Sequence, residues 1–456
     1  MRSFLLPALA AAALAIVACS AAPTVRFEPG VRAPDPAHGT PSLPPAIDTR
    51  YIAVAALGMK PLAKRTTHAV TEYGAHADGV TDDTVAIQRA FDRVPSGDVL
   101  LFPAGVYRYS NVLTLRRSDV VVEGRNAALQ AASPQNESIV IAGDKSALLN
   151  MTLYGTGSKR LTTPASTEIE VTGRYVQLVG NRISGGSSAG IFMYGARDYR
   201  VTGNSVANTL ADGIHSTHGS RRGLIEGNTV FRSGDDTIAV VSYTGETASG
   251  NILIDDNHVS GNRWGRGITC VGCTDVAISN NSIKSVGCAA GVLIANEVET
   301  IGVDGVLVEN NAIDRIEKTA CQGARTGQAG IDINGFGTYP IRYVSLERNR
   351  IGDTAFDGIR ALDGGKPGVS FDRINLNGNA IENAGGAAVE FVADPGMPSL
   401  TTCWANTYDG KPYTASASSC AAKRVTSAAW TQFDFVTPEG TTWAPDGRAT
   451  ARPWRR

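Results

Sequence analysis

Residues 211–241 read ADGIHSTHGSRRGLIEGNTVFRSGDDTIAVV and hold three aspartates, Asp212 and the adjacent pair Asp235 and Asp236. Charged residues make up only 19% of the chain, so three acids about one repeat apart ask for a reason. Carboxylates held close together repel, and at least one pKa rises unless a cation compensates. Carboxyls whose pKa values are pushed apart can divide acid–base work, one protonating a leaving oxygen while another activates water. His215 and Arg266 are candidate partners for that chemistry. A structural reading stands beside it: Asp357 precedes Gly-Ile as Asp212 does, so the pattern also serves as a turn, with Arg266 neutralising the cluster.

The frame that positions these residues is a repeat. YVQLVGNRISGGSSAGIFMY, YRVTGNSVANTLADGIHST, GLIEGNTVFRSGDDTIAVV, ILIDDNHVSGNRWGRGITCV and VAISNNSIKSVGCAAGVLIA share one plan. Each has an alternating strand, an asparagine, a second short strand, a polar turn and a third strand opening on Gly-Ile or a near equivalent. The asparagines are Asn181, Asn204, Asn228, Asn257 and Asn281, followed by Asn311, Asn349 and Asn379, mostly 23 to 30 residues apart. Short strands at that period describe stacked coils. The pattern predicts an all-β chain folded as a right-handed parallel β-helix of about ten coils, with the asparagines bonded along one turn.

In that frame Asp212 lies eight residues after Asn204 and Asp236 eight after Asn228. Equal offsets put them on neighbouring rungs, about 4.8 Å apart. Arg266 takes the next rung, with one extra turn residue after Asn257. Alternation turns Ile214 and Ile238 inward and His215 and Ala239 outward, so one groove wall carries Asp212, Asp235, Asp236, His215 and Arg266. Tyr243 and Trp264, with Phe192 and Tyr194, are candidate sugar-stacking side chains.

The flanks read differently. Arg2 and the apolar run FLLPALAAAALAIVAC are expected to be an export signal over residues 1–18, followed by a Pro/Ala-rich tether over 19–66. The solenoid is expected over 67–395 and a non-repeating segment that packs on or caps it over 396–456. VTEYGAHADGVTDDTVAIQRAFDRV predicts a strand, a turn and a short helix that caps the open end. Asp82 or Thr81 is its expected N-cap, and Val85, Ile87, Ala90 and Phe91 its apolar positions. Export places six cysteines in an oxidising compartment. Cys403 and Cys420 read as a local disulfide, and Cys270, Cys273, Cys288 and Cys321 as disulfides or buried thiols in preference to zinc; no metal is assigned. A net charge of -1 gives no electrostatic reason to bind nucleic acid.

Two resemblances extend this reading. IVAC at residues 16–19 resembles the lipobox of bacterial lipoproteins, which implies lipidation of Cys19 and a chain tied to the cell envelope through a lipid anchor only. Ser20 after it weakly favours the outer membrane. AVTEYGAHADGVTDDTVAIQRAFD, followed by GDVLLFPAGVYRYS, resembles the N-terminal segment of pectate-lyase-like β-helix proteins, a superfamily that includes polygalacturonases and rhamnogalacturonases. Within it, LADGI and SGDDTIAVVS are similar to motifs of glycoside hydrolase family 28 at Asp212 and at Asp235 and Asp236. The resemblance implies an inverting hydrolase of polysaccharides or oligosaccharides without cofactor, Asp235 being the general acid while Asp212 and Asp236 hold the attacking water.

Two departures matter. The family's Gly-His-Gly is GRG here, with Arg266 in place of histidine, and its Arg-x-Lys pair would fall in GVLIAN, where both basic residues are missing. Those basic residues grip a uronate in the family, so a sugar other than polygalacturonate or an altered reaction is expected. A lyase or uronate C5-epimerase on the same fold is the alternative. It would use Arg263, Arg266, His215, His218 or Tyr243 as base and cation, with calcium on the aspartates. A non-catalytic glycan-binding β-helix of the envelope is a third reading.

Overall fold

Three-residue strands such as Gln177–Val179 and Arg182–Ser184 are too short to persist alone; each exists because the coil above and the coil below repeat it. The computed structural model describes residues 51–52, 64–321, 324–363, 371–392, 399–412 and 435–436. Its strands form three long sheets. The first has 13 strands, from Thr67–Ala69 to Ser399–Trp404, and the second 14, beginning at Asp78–Asp82. The third has 11, from Leu113–Leu115 to Val389–Val392. Pairing is parallel throughout these sheets except for the closing hairpin of Thr407–Tyr408 with Lys411–Pro412. The fold is a right-handed parallel β-helix.

Register in the third sheet is set by what each side chain buries. Ile191, Ile214, Ile238, Ile268, Val292, Ile331 and Ile359 pair one above another and are almost wholly buried, a continuous stack of branched side chains in the core. The next residue of each strand faces outward, giving the row Phe192, His215, Ala239, Thr269, Leu293, Asp332 and Arg360. Phe192 and His215 in that row are part exposed, while Ala239, Thr269, Leu293 and Asp332 are covered. Loops from the second sheet into the third flank the row on one side, and loops from the third sheet back to the first flank it on the other.

The asparagines lie where the repeat places them. Asn257 Oδ1 accepts both the amide and the Nδ2 of Asn228 at 2.9 Å, while Asn257 Nδ2 donates to Ile225 O at 2.9 Å and to Asn281 Oδ1 at 3.0 Å. The same pattern runs from Asn181 to Asn379 and on to Asn406, all of them buried. Ser399–Trp404 still pairs in parallel with Phe371–Asn377, so the coil repeat reaches Tyr408, past the expected boundary at 395. The sequence signal fades there because the described residues add no further third-sheet strand with its Gly-Ile opening.

The one α-helix among the described residues is Thr84–Arg93. Ile87, Ala90 and Phe91 are buried, whereas Val85, expected to join them, is 68% exposed on the helix's outer side. Asp83 stands at the N-cap, one residue later than expected; its carboxylate accepts the His76 and Ala77 amides, and Asp82 takes the Thr84 amide. Gln88 bonds both the amide and the carbonyl of Thr114 at 2.9 Å, so the helix satisfies the edge strand Leu113–Leu115 of the third sheet. Cys270 is bonded to Cys273 and Cys288 to Cys321. The expected signal, Cys19, the tether to residue 50, and the Cys403–Cys420 pairing fall outside the described residues.

Replacing Asn257 with Ala strips the Asn228 amide and the Ile225 carbonyl on the preceding coil of their partner and takes one of two donors from Asn281 Oδ1 on the next, at about 1–3 kcal/mol for each buried group left unpaired. Chemical denaturation is expected to show a loss of about 3 kcal/mol with native circular dichroism retained. A variant as stable as the parent would show that the ladder contributes nothing to coil register.

Candidate active site

Backbone bonds fix the rungs first. Gly190 donates to Asp212 O, Gly213 to Asp236 O and Thr237 to Arg266 O, each at 3.0 Å, so Asp212, Asp236 and Arg266 occupy successive coils at one turn position. Ser233 Oγ donates to Asp235 O at 2.9 Å and holds the doublet's turn. The turn above lies directly on it. A Cβ at Gly265 would fall 2.5 Å from the Asp236 amide nitrogen and 2.6 Å from Asp235 Oδ1, so only glycine lets the chain bring Arg266 this close.

Each carboxylate then meets a different partner. Asp212 Oδ2 lies 2.5 Å from His215 Nδ1. Asp235 Oδ2 lies 2.5 Å from an Arg160 guanidinium nitrogen. Asp236 accepts the Arg266 amide at 2.7 Å and the Thr269 hydroxyl at 2.8 Å, with the Arg266 guanidinium 3.8 Å away. That guanidinium also lies 3.6 Å from Glu297. One oxygen from each of the three aspartates falls within 4.8 Å of the other two, close enough to couple their titrations or to flank a hard cation.

Burial dominates the titration of this group. Loss of solvent pushes Asp236 up to about 7, helped by the charges of Asp235 and Asp212 and opposed by Arg266. Burial and Asp212 also raise Asp235, against the Arg160 ion pair. Burial disfavours the imidazolium of His215, but bonded Asp212 and its two neighbours outweigh that and raise the pKa. His215 Nε2 is buried with no hydrogen-bond partner. The cluster thus holds protonated carboxyl and charged imidazole at pH values where isolated aspartates would be ionised and histidine neutral.

Residues 68–310 match the model of the rhamnogalacturonase A/epimerase, pectate lyase-like family. The chain belongs to that family. Three solved structures share the fold of this pectate lyase-like protein. An exopolygalacturonase from Thermotoga maritima matches with a TM-score of 0.59 and 13% identity, over 78% of this chain and 94% of that one. The catalytic domain of a GH87 alpha-1,3-glucanase in complex with tetrasaccharides gives 0.58 and 14%, over 74% and 70%. The A-module of a mannuronan C-5 epimerase from Azotobacter vinelandii gives 0.51 and 18%, over 72% and 100%.

In this pectate lyase-like chain aromatic rings run from the third-sheet row toward the ends of its strands. Phe192 sits 5.4 Å from His215 and 5.7 Å from Tyr194, ring centre to ring centre. Tyr194 is 4.2 Å from His218, and His218 is 5.8 Å from Tyr243. His218 Nδ1 is paired with Glu246 at 2.8 Å. Burial, with Asp212 and nearby glutamates, raises the Tyr243 phenol. Trp264 stands on the aspartate wall, 44% exposed, outside that ring row, and Arg263 uses its backbone amide to bond Ser233. Repeat offsets did not reveal Arg160, Thr269 or Glu297. Thr269 was within reach, since it shares a rung row with His215 and Ala239. Arg160 comes from residues 155–168, a longer excursion than the matching 185–190, so no offset points to it.

Because the Arg266 charge lowers the Asp236 pKa, removing it raises that pKa. In Arg266→Met, carbon-13 NMR titration of the aspartate carboxyls is expected to move the Asp236 transition above its position near 7. An unmoved transition would show that Arg266 does not act on that carboxyl.

Proposed function

We propose that this chain is an exported polysaccharide-active enzyme, a glycoside hydrolase that uses Asp235 as general acid while Asp212 and Asp236 orient the attacking water. The supporting observation is the division of labour among three neighbouring carboxylates. Asp236 has donors on both oxygens, which hold its carboxyl in one orientation beside the water. Asp212 is tied to His215, which fixes its orientation. Asp235 is the more open of the doublet, with 16% of its side chain exposed against 8% for Asp236, and burial raises it toward a proton-carrying form. The neighbouring aromatic row supplies faces on which sugar rings stack.

The spacing bears on stereochemistry. Acid and base in an inverting site are typically about 6.5–9.5 Å apart, with water between them. Oxygens within 4.8 Å are tighter than that. In this reading the water therefore sits beside Asp212 and Asp236 on the groove side, and not between facing walls. Proton NMR of the first-formed sugar is expected to show inversion; retention would make one aspartate a nucleophile.

A second reading, a lyase or epimerase, draws on the unpartnered His215 Nε2 as a base and on carboxylates spaced to hold calcium. A polysaccharide panel separates the two, reading new reducing ends and the ultraviolet absorbance of unsaturated uronates with and without chelator. The hydrolase is expected to release reducing ends without absorbance and regardless of chelator, with a loss of about 100-fold or more in Asp235→Asn. Absorbance rising with cleavage would overturn it. Envelope anchoring through Cys19 belongs to the same proposal and rests on the leader alone; palmitate labelling should disappear in Cys19→Ala, and labelling that persists would refute it.

A further inference from the structure

We propose that Arg160 reads a negative charge on the sugar unit beside the bond that is cut, and that its ion pair with Asp235 is the closed state of a latch which this charge opens. The proposal rests on the hydrolase reading for the role of Asp235. It is carried by how Arg160 is held and by what the neighbouring cations are already doing.

The root of the arm is rigid. Glu137, wholly buried, accepts the Thr156 amide at 2.7 Å and its hydroxyl at 2.8 Å, and the Ser187 amide at 2.6 Å and its hydroxyl at 2.8 Å. Beyond the tip, the Leu161 amide bonds Ser187 O at 2.9 Å. Residues 157–160 are the exposed part between these two anchors. The arm therefore delivers Arg160 to one place, over Asp235.

The contact at that place is easily exchanged. Arg160 offers five N–H donors and makes a single bond to Asp235, with 47% of its side chain exposed. Arg222 shows the contrast, gripping Asp198 through two nitrogens at 2.5 and 2.7 Å. With the arginine half exposed and held at one point, a competing anion can take its place. A carboxylate or sulfate on the sugar can engage the same guanidinium through two bonds.

Other cations around Asp235 are committed. Arg266 lies between Asp236 and Glu297, His215 is bound to Asp212, and His218 to Glu246. Arg160 keeps spare donors at the groove, with exposed Lys159 beside it on the arm. Asp235 faces Arg160, Arg266, Asp212 and Asp236. While Arg160 is on Asp235, its charge opposes the rise that burial and Asp212 impose on the acid, and so works against its protonation. When an anionic sugar takes the guanidinium, Asp235 is left against two carboxylates under a dehydrating ligand and picks up a proton from solvent. That proton goes to the leaving glycosidic oxygen as its bond to carbon breaks, and the attacking water loses its own proton to the Asp212–Asp236 pair. A neutral sugar leaves the latch closed.

The test uses the full chain with carbon-13-labelled aspartate carboxyls, as wild type, Arg160→Gln and Arg160→Lys. The probes are trigalacturonate, a carrageenan-derived sulfated oligosaccharide, and their carboxyl-reduced and desulfated counterparts. Wild type is expected to bind one charged probe at least about 10-fold more tightly than its neutral counterpart, a single good charged contact's worth. Binding should also shift the Asp235 resonance toward the protonated form. Arg160→Gln should abolish the preference and the shift, and Arg160→Lys should retain part of both. Equal binding of charged and neutral probes, binding of none, or a preference that survives Arg160→Gln would overturn the proposal. Charge preference that disappears in Arg160→Gln, without any glycan cleavage, would sink the hydrolase reading and leave the recognition by Arg160 standing.

Discussion

Everything at the groove depends on coil register, and register depends on the buried asparagine ladder. Each asparagine accepts from the coil before it and donates to the coil after it, so its amide is fully used only when neighbouring coils are in step. A slip of one residue would turn every inward side chain outward. Hydrophobic stacking of Ile214, Ile238 and Ile268 imposes the same register from inside the core. With two independent constraints in agreement, a side chain eight residues after one asparagine must lie one rung from its equivalent after the next.

That rigidity lets the molecule hold three carboxylates within a few ångströms. Their mutual repulsion is offset locally by three different cations: His215 on Asp212, Arg160 on Asp235, Arg266 on Asp236. The three partnerships differ in reach and permanence. Histidine and Arg266 come from the coils themselves, and Arg266 is pinned by the close approach of Gly265. Arg160 hangs from an arm. A site built this way has fixed geometry and one exchangeable charge, which suits recognition of a ligand better than pure structural neutralisation does.

A second buried acidic pair supports the arm. Glu137 accepts from four donors, while burial and the neighbouring Glu137 hold Glu168 well above the usual carboxylate range. A Cβ at Gly155 would strike Glu168 Oε1, so the arm leaves the second sheet through a gap only glycine permits. Packing near the N-terminal coils thus anchors the arm whose Arg160 reaches Asp235, 75 residues away in sequence.

Much of the fold was legible from sequence because its determinants are local and periodic. Alternating apolar residues and regularly spaced asparagines identify strands and turns without knowledge of distant contacts. Equal offsets then place Asp212, Asp236 and Arg266 on one wall. Where the period breaks, legibility ends: the last coil through Asn406 was missed, and Val85 faces solvent because a helix beside a sheet edge buries only one stripe. What the sequence by itself determined is the solenoid and the row of acids along it. Only the tertiary structure decided which charge faces which acid, and that Phe192, Tyr194, His218 and Tyr243 form one ring row. Those pairings join residues from irregular loops, whose paths are set by packing and not by any repeat.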